Sequence, residues 1–537
     1  MNFERFYTTG STELPLAKYV LHGHCVMPGD KSISHRCLML AALASGCSHF
    51  TNVSTGDDVT STRTALEVMG AVIEDEASSS TNAPDSYSCH VTGIPASSFL
   101  WTHAPLRTEE VCLPEPVALQ CNNSGTTARL ISGICANFYR PCVLHGDSSL
   151  SRRDMARVAR PLRQLGAHID LTGTTLPLRT TPSYLSPATI CLESPSAQVK
   201  SALLLAALHA PGITHVQLKQ LSRDHTERLL HGFGARFWAE SADSLYVHGA
   251  QPLHAVRYDI PGDISSAAFI VAAALLCSGS DVHIDHVGLN PTRRAFLDVL
   301  KRAGACVAWE EYENNALVAV DEALDAHACA GAGKRAGESE GVSAGKRACF
   351  NQTLSREKAG GYRAACTSEH AVVSGDPSVF EGEPCGSIHV QSNADTTSHA
   401  SWRGFHVSAE EVAFLIDELP MLALLAARAS TPSVFSGVDE LRAKETDRVA
   451  AIERLLAALG AHTDFRNGAL TVSPVQQSHF RPVHAFDTQG DHRLAMCALV
   501  ASLVCSTPFR IINTQCVSVS FPSFLITLER LLHDNCS

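Results

Sequence analysis

The chain has no CxxC pair and no HExxH, and nothing like zinc-ligand spacing recurs among its 26 histidines, so the sequence presents no metal centre. Neither GxGxxG behind a strand nor a GxxxxGK-S/T loop occurs, which removes the common nucleotide cradles. Its apolar runs fall short of the roughly 18 to 20 residues that cross a bilayer. The opening MNFERFYTTGSTELPL has neither an apolar leader core nor an arginine-rich pattern. Charged residues make up only 18%, and the formal net charge of -12 argues against general binding to nucleic acid or an acidic membrane. These absences describe a cytoplasmic protein without cofactor or metal. The 19 cysteines are odd in number and many sit in apolar runs, as at Cys37, Cys135, Cys277 and Cys497, which is the pattern of reduced core thiols. His22 and His24 alternate as residues on one face of a strand do.

What the chain does have is repetition. Six times a polar opening runs into an apolar stretch, and in five of these a second helical stretch closes on Gly-Ala. The openings are PGDKSISHRCLMLAALASG at Pro28, NSGTTARLISGICA at Asn123, QVKSALLLAALHAPG at Gln198, PGDISSAAFIVAAALLCSG at Pro261, DELPMLALLAARA at Asp417 and GDHRLAMCALVASL at Gly490. The closing pairs are Gly70-Ala71, Gly166-Ala167, Gly234-Ala235, Gly304-Ala305 and Gly460-Ala461, and the sixth copy has none. Leu- and Ala-rich runs at 3.6 spacing predict helices, and β-rich segments at 48–53, 168–171 and 281–287 predict strands. Each copy is therefore a mixed helix–strand module, and the chain is α/β. The likeness of PGDKSISHR to PGDISSAAF marks the start of two halves, giving one three-copy domain over 29–260 and another over 1–28 plus 261–537. Between copies four and five the spacing swells around AGAGKRAGESEGVSAGKRA, so residues 323–385 are expected to form a low-complexity insertion within the second domain.

The copies differ mainly at their openings, where helix N-termini favour anions. Lys31, Ser32 and Arg36 occupy the first opening, while the fourth has Ile264, Ser265 and Phe269 and reads as retained structure. Asn123, Gly125 and the hydroxyls around them form the second, with Arg153 among the arginines that follow. Ser196, Gln198 and then Ser222-Arg223 belong to the third, and His492-Arg493 to the sixth, where His492 is able to shuttle a proton. The fifth is acidic, with Asp417, and leads to Lys444, Glu445 and Arg448. Each opening alone also reads as an ordinary solvated helix start. As a set they describe a cationic wall facing acid–base carboxylates, suited to small, multiply anionic substrates.

The ordered set PGDKSISHR, NSGTTARL, SAQVKSALLLAAL, IDELP, KETDR and GDHRLAM resembles the 5-enolpyruvylshikimate-3-phosphate (EPSP) synthase family over nearly the whole chain outside the insertion and the first twenty residues. The resemblance implies two similar domains, each of three βαβαββ units in an inside-out α/β barrel, with a clamp-like site between them. It implies transfer of the carboxyvinyl group of phosphoenolpyruvate to the 5-hydroxyl of shikimate 3-phosphate, by addition and elimination through a tetrahedral intermediate, without metal or cofactor. By the same resemblance Ser32, Arg36, Ser196, Gln198, Ser222 and Lys444 hold shikimate 3-phosphate. Gly125, Arg153, Arg448 and Arg493 hold phosphoenolpyruvate, with Lys31 between the ligands, while Asn123, Arg223 and His492 complete the binding set. Asp417 is the acceptor of the hydroxyl proton, and Glu445, assisted by Lys31, exchanges the methylene proton. The two substrates are the expected partners, and the chain is expected to be a monomer. Ala197 and Val519 depart from one subclass of the family, and Asp154 stands where proline is usual. Two other readings are a UDP-N-acetylglucosamine enolpyruvyl transferase, which KETDR and the KSxSxR opening disfavour, and a non-catalytic repeat scaffold, whose openings would vary freely.

Overall fold

The computed structural model describes residues 11–12, 19–76, 85–102, 114–312, 317–320, 382–392, 402–443, 446–477 and 479–533. Lys444, Glu445 and residues 323–381 of the expected insertion lie outside the described residues. Sheet begins at Cys385, the last residue of that expected insertion. Cys385–Gln391 forms a strand with alternating buried positions, so the excursion ends before its apolar alternation begins.

Every polar opening starts or immediately precedes a helix: Lys31–Leu43, Gly125–Cys135, Ala197–Ala207, Ile264–Leu276, Leu419–Ala426 and His492–Ser502. We call these the first to sixth inner helices. Five carry a side-chain cap, from Asp30, Ser124, Ser196, Asp263 and Asp491, each accepting from a first-turn N–H. The fifth instead follows Glu418 with a proline in its first turn. These helices are apolar around their circumference because they are enclosed, and all eleven residues of the sixth are buried.

The Gly-Ala pairs end the outer helices by one geometry. Gly70, Gly166, Gly234, Gly304 and Gly460 all have positive φ, from 76° to 108°. In each case the following alanine N–H returns to the carbonyl of a leucine five residues back: Leu66, Leu162, Leu230, Leu300 and Leu456, at 2.8–3.2 Å. The glycine supplies the left-handed residue, and the alanine and leucine close the apolar contact of a Schellman cap. Both members of the dipeptide are therefore structural.

The outer strands form repeated sheets. Val117–Gln120 runs parallel to Cys142–His145, which pairs antiparallel with Thr175–Thr181, itself antiparallel to His168–Thr172. The same order recurs in Thr189–Leu192, Ile213–Leu218, Ser244–His248 and Phe237–Ser241, and in His406–Val407, Ser433–Ser436, Ala469–Ser473 and His462–Arg466. Two sheets take their parallel strand from across the sequence. Val256–Asp259 lies beside Cys47–Ser54, and His22–Val26 lies beside Asp281–Gly288. In the sixth, Phe486–Asp487 is parallel to Ile511–Ile512, and Ser11–Thr12 adds an antiparallel edge. The repeat is thus βαβαββ, and the fold is α/β.

At the two exchange points the chain pairs with itself. Asp30 N–H donates to the Pro261 carbonyl and Asp263 N–H to the Pro28 carbonyl, both at 2.8 Å. A Cβ on Gly29 would stand 1.7 Å from the Asn52 carbonyl oxygen, so the crossing requires glycine there. Buried apolar residues gather in two cores. One runs from Ile33 to Ile260, and the other takes in Tyr19, Leu21 and Met27 and then residues from Ile264 to Leu531. Among the described residues no helix is long and apolar enough to cross a membrane, and the described cysteines are free.

Two glycine substitutions separate backbone strain from steric conflict. No atom lies within 4 Å of a Cβ at Gly304, so Gly304→Ala should lose about 1 kcal/mol from its left-handed φ alone. Gly29→Ala, driven into a carbonyl, should lose about 3 kcal/mol. Urea unfolding of both variants reads the difference, and equal losses would contradict the crossing geometry.

Candidate functional site

All six openings converge on one cavity of about 350 Å³. Lys31 and Ser32 come from the first inner helix, Gly125 and Thr126 from the second, and Ser196 to Gln198 from the third. Asp263 and Ser265 come from the fourth, Asp417 from just before the fifth, and His492 and Arg493 from the sixth. Asn123, Arg153, Ser222, Arg223 and Arg448 line it too, so thirteen of the sixteen expected site residues share this space. Lys31, Arg153, Arg223, Arg293, Arg448 and Arg493 face Asp58, Asp263, Asp417 and Glu440. A chain of net charge -12 has concentrated positive charge where helix N-termini already favour anions.

On the wall from the first half, Lys31 Nζ donates to Asp58 Oδ2 at 2.9 Å. Burial alone would lower the Lys31 pKa, but Asp58 outweighs it and the pKa is raised, which keeps the ammonium charged. Asp58 is held correspondingly low: burial opposes its ionisation and Lys31 overcomes that opposition. Arg153 donates to Asn123 Oδ1 at 2.7 Å, while Asn123 Nδ2 donates to Asp147 at 2.7 Å. Gln198 bridges Arg129 and Thr126 at 2.8 and 3.0 Å. A Cβ on Gly125 would approach the Arg129 and Arg153 guanidinium groups to 2.7 and 3.2 Å, so glycine leaves these cations room beside the helix start. Lys200, buried against Glu227, donates to the Ser222 carbonyl at 3.3 Å and fixes that loop.

The other wall centres on Asp417. Arg223 reaches it from the opposite half at 2.6 Å, and Arg448 and Arg493 each approach Oδ1 to 3.5 Å. Arg448 is 1% exposed and also donates to Asp491 Oδ2 at 2.9 Å, so the cap of the sixth helix orients it. One carboxylate thus gathers three guanidinium groups that would otherwise repel one another.

Arg36 stands behind Ser32. Its guanidinium donates to Thr226, Ser201 and the Ser32 carbonyl, each at 2.8 Å, and it does not line the cavity. Burial lowers its pKa to about 10, and its visible role is to hold the start of the first helix against the third repeat. The fourth opening differs from its reading as plain structure, because Asp263 and Ser265 line the cavity.

Asp58 and Arg293 carry no signal in the sequence. Arg293 lies outside any opening, in NPTRRAF after a strand, and nothing local marks it. Buried, it donates to Ser265 at 2.6 Å and stands 3.5–3.8 Å from Asp30, Asp263 and Glu418, which ties both crossing aspartates to the fifth helix. Beside it His225 contacts Glu383 at 2.6 Å, and Asn290 donates to Glu383 and Asp224, each at 2.7 Å. The departures from the family pattern are accommodated. Ala197 and Val519 line the cavity, and Asp154 accepts from the Ala156 N–H at 2.9 Å ahead of the next helix.

The sequence model of EPSP synthase (3-phosphoshikimate 1-carboxyvinyltransferase) matches residues 17–95, 101–329 and 380–528 and passes over the stretch between the last two segments. The chain is 34% identical over 514 residues to the 3-phosphoshikimate 1-carboxyvinyltransferase of Shouchella clausii, covering 95% of this chain and 96% of the relative. It is 35% identical over 522 residues to that of a Synechococcus strain, covering 95% and 97%. The solved EPSP synthase from Acinetobacter baumannii superposes with a TM-score of 0.70 at 28% identity, covering 97% of this chain and 98% of that one.

Two pH effects follow from these environments. In Asp58→Asn, burial of Lys31 loses its main counterweight, so Lys31 should give up its proton at lower pH. Acylation of Lys31, followed by mass spectrometry across pH, should begin at lower pH in the variant, and an unmoved onset would detach Asp58 from this role. Glu383, normally near 4.5, is pushed up to about 7 by burial. The folded state then binds that proton more tightly than the unfolded chain, so stability should fall as pH rises from about 4.5 to about 7 and level off above. Glu383→Gln should flatten the urea midpoint over that interval.

Proposed function

The chain belongs to the EPSP synthase family, and from that premise we propose that the cavity at the six helix starts binds shikimate 3-phosphate and phosphoenolpyruvate side by side. The reaction joins the 5-oxygen of shikimate 3-phosphate to C2 of phosphoenolpyruvate while a proton enters the methylene carbon. Loss of a proton from the resulting methyl group and departure of phosphate then restore the double bond. The observation that carries this reading is that six cations line one cavity with Asp417, three of them drawn to that carboxylate, in a volume suited to two small anions. Preorganised cations offset the mutual repulsion of two phosphates and a carboxylate before the reaction begins.

In this reading Ser32, Ser196, Gln198 and Ser222 hold shikimate 3-phosphate, joined by Lys444, and Arg36 acts from beneath by fixing Ser32. Gly125, Arg153, Arg448 and Arg493 receive phosphoenolpyruvate, with Asn123 orienting Arg153. Asp417 accepts the proton of the attacking hydroxyl once substrate displaces Arg223, and Lys31 stands charged between the two ligands. Glu445 moves the proton at the methylene carbon, and His492 completes the cavity lining. Two domains, over 29–260 and over 1–28 with 261–537, close as a clamp, a division that the two separate cores support. A monomeric, cytoplasmic enzyme completes the reading. The UDP-N-acetylglucosamine enzyme and the non-catalytic scaffold are not favoured, given the family match and the six cations gathered in one cavity.

The deciding assay is phosphate release from the purified chain, with chelator present. Release should require both substrates and should cease when UDP-N-acetylglucosamine replaces shikimate 3-phosphate; release with the nucleotide sugar would point to the sister activity. Glu445→Gln should lower kcat by about 100-fold or more while leaving shikimate 3-phosphate affinity within a few-fold. Equal losses in both quantities would make Glu445 a binding residue.

A further inference from the structure

On the solvent side of the sheet around Asp281–Gly288, three histidines from three adjacent strands stand in one row. Register pairs His283 with His24 on the parallel strand and with His389 on the antiparallel strand. Their rings stack at 4.6 and 4.0 Å between centroids, 9° from parallel in both pairs. Val282 and Ile284 point into the core, so Asp281, His283 and Asp285 share the opposite face. One ligating atom from each of Asp281, His283 and His389 lies within 4.8 Å of the others. Asp281 Oδ1 is already 2.8 Å from His389 Nε2 and 4.0 Å from His283 Nε2. None of the three lines the cavity described above.

We propose that Asp281, His283 and His389 form a site for a divalent transition metal ion such as Zn2+, separate from the catalytic cavity and serving to clasp the sheet. Two imidazoles and one carboxylate are the donors that suit Zn2+ and its neighbours rather than Mg2+ or Ca2+, and three protein ligands leave positions for water. Bond lengths of about 2.0–2.2 Å require the His283 and His389 rings to turn out of their stack, so that in-plane lone pairs converge on one ion. The surroundings orient the donors. Gln391 donates to the other Asp281 oxygen at 3.0 Å, and His24, stacked on His283, is itself held by Asp285 at 3.0 Å. The bound ion would tie Asp281–Gly288 to Cys385–Gln391, the strand on which the chain returns after residues 321–381.

The first repeat carries a second arrangement of the same kind, His49, Glu76 and His90, with Glu76 exposed, and it is the natural competitor in any test. The full chain, stripped with chelator and freed of it, is titrated with Zn2+ by equilibrium dialysis and with Co2+ by visible absorption. Tight Zn2+ binding that raises the thermal midpoint is expected, with affinity falling at least about tenfold in His389→Ala and, separately, in Asp281→Asn, and unchanged in His90→Ala. The wild-type titration alone would overturn the proposal if no ion binds at millimolar concentration. Binding that survives both His389→Ala and Asp281→Asn, or that His90→Ala removes, would also overturn it.

Discussion

The structure depends on the place where the chain exchanges halves. Two reciprocal hydrogen bonds join Pro28–Asp30 to Pro261–Asp263, and each aspartate then caps the inner helix that begins beside it. The same few residues therefore set where two strands leave their own half, where the first and fourth helices start, and where the cavity floor lies. Arg293 sits between the paired carboxylates and continues the linkage to Glu418. A buried arginine facing three acids is sustained by geometry, because removing either sign would strand the other in a poor solvent.

That arrangement explains how an acidic protein holds a cationic site. Asp30, Asp263 and Asp491 are helix caps, yet each also stands near a buried arginine, so capping and charge placement are one device. Asp417 plays the corresponding part inside the cavity, drawing Arg223 from one half towards Arg448 and Arg493 of the other. An anionic substrate entering this space meets cations already held in place, and its binding exchanges one set of ion pairs for another.

Much of this was legible in the chain. The six openings located every inner helix, and the Gly-Ala pairs located five outer-helix ends, because a Schellman cap demands glycine at positive φ whatever the surrounding fold. Thirteen candidate residues meet in one cavity because the repeats place equivalent helix starts at equivalent points. Arg36 shares the first helix with Lys31 and Ser32, yet one further turn carries it towards Thr226 and Ser201, a placement no local pattern announces. Arg293 and Asp58 were not legible, since their partners are remote in sequence and no local pattern marks a side chain whose role is to oppose a distant charge.

By itself the sequence determined the repeat, the helix starts and stops, the residue types at each opening and the family. Those properties rest on local backbone requirements and on periodicity, which a linear chain carries explicitly. Tertiary structure alone decided which cations reach the cavity and which are spent beneath it, how Lys31 and Glu383 titrate, and that histidines at 24, 283 and 389 form one row. Those outcomes depend on register between strands brought together across 22–391 and on burial, and neither exists until the two halves have folded around their crossing.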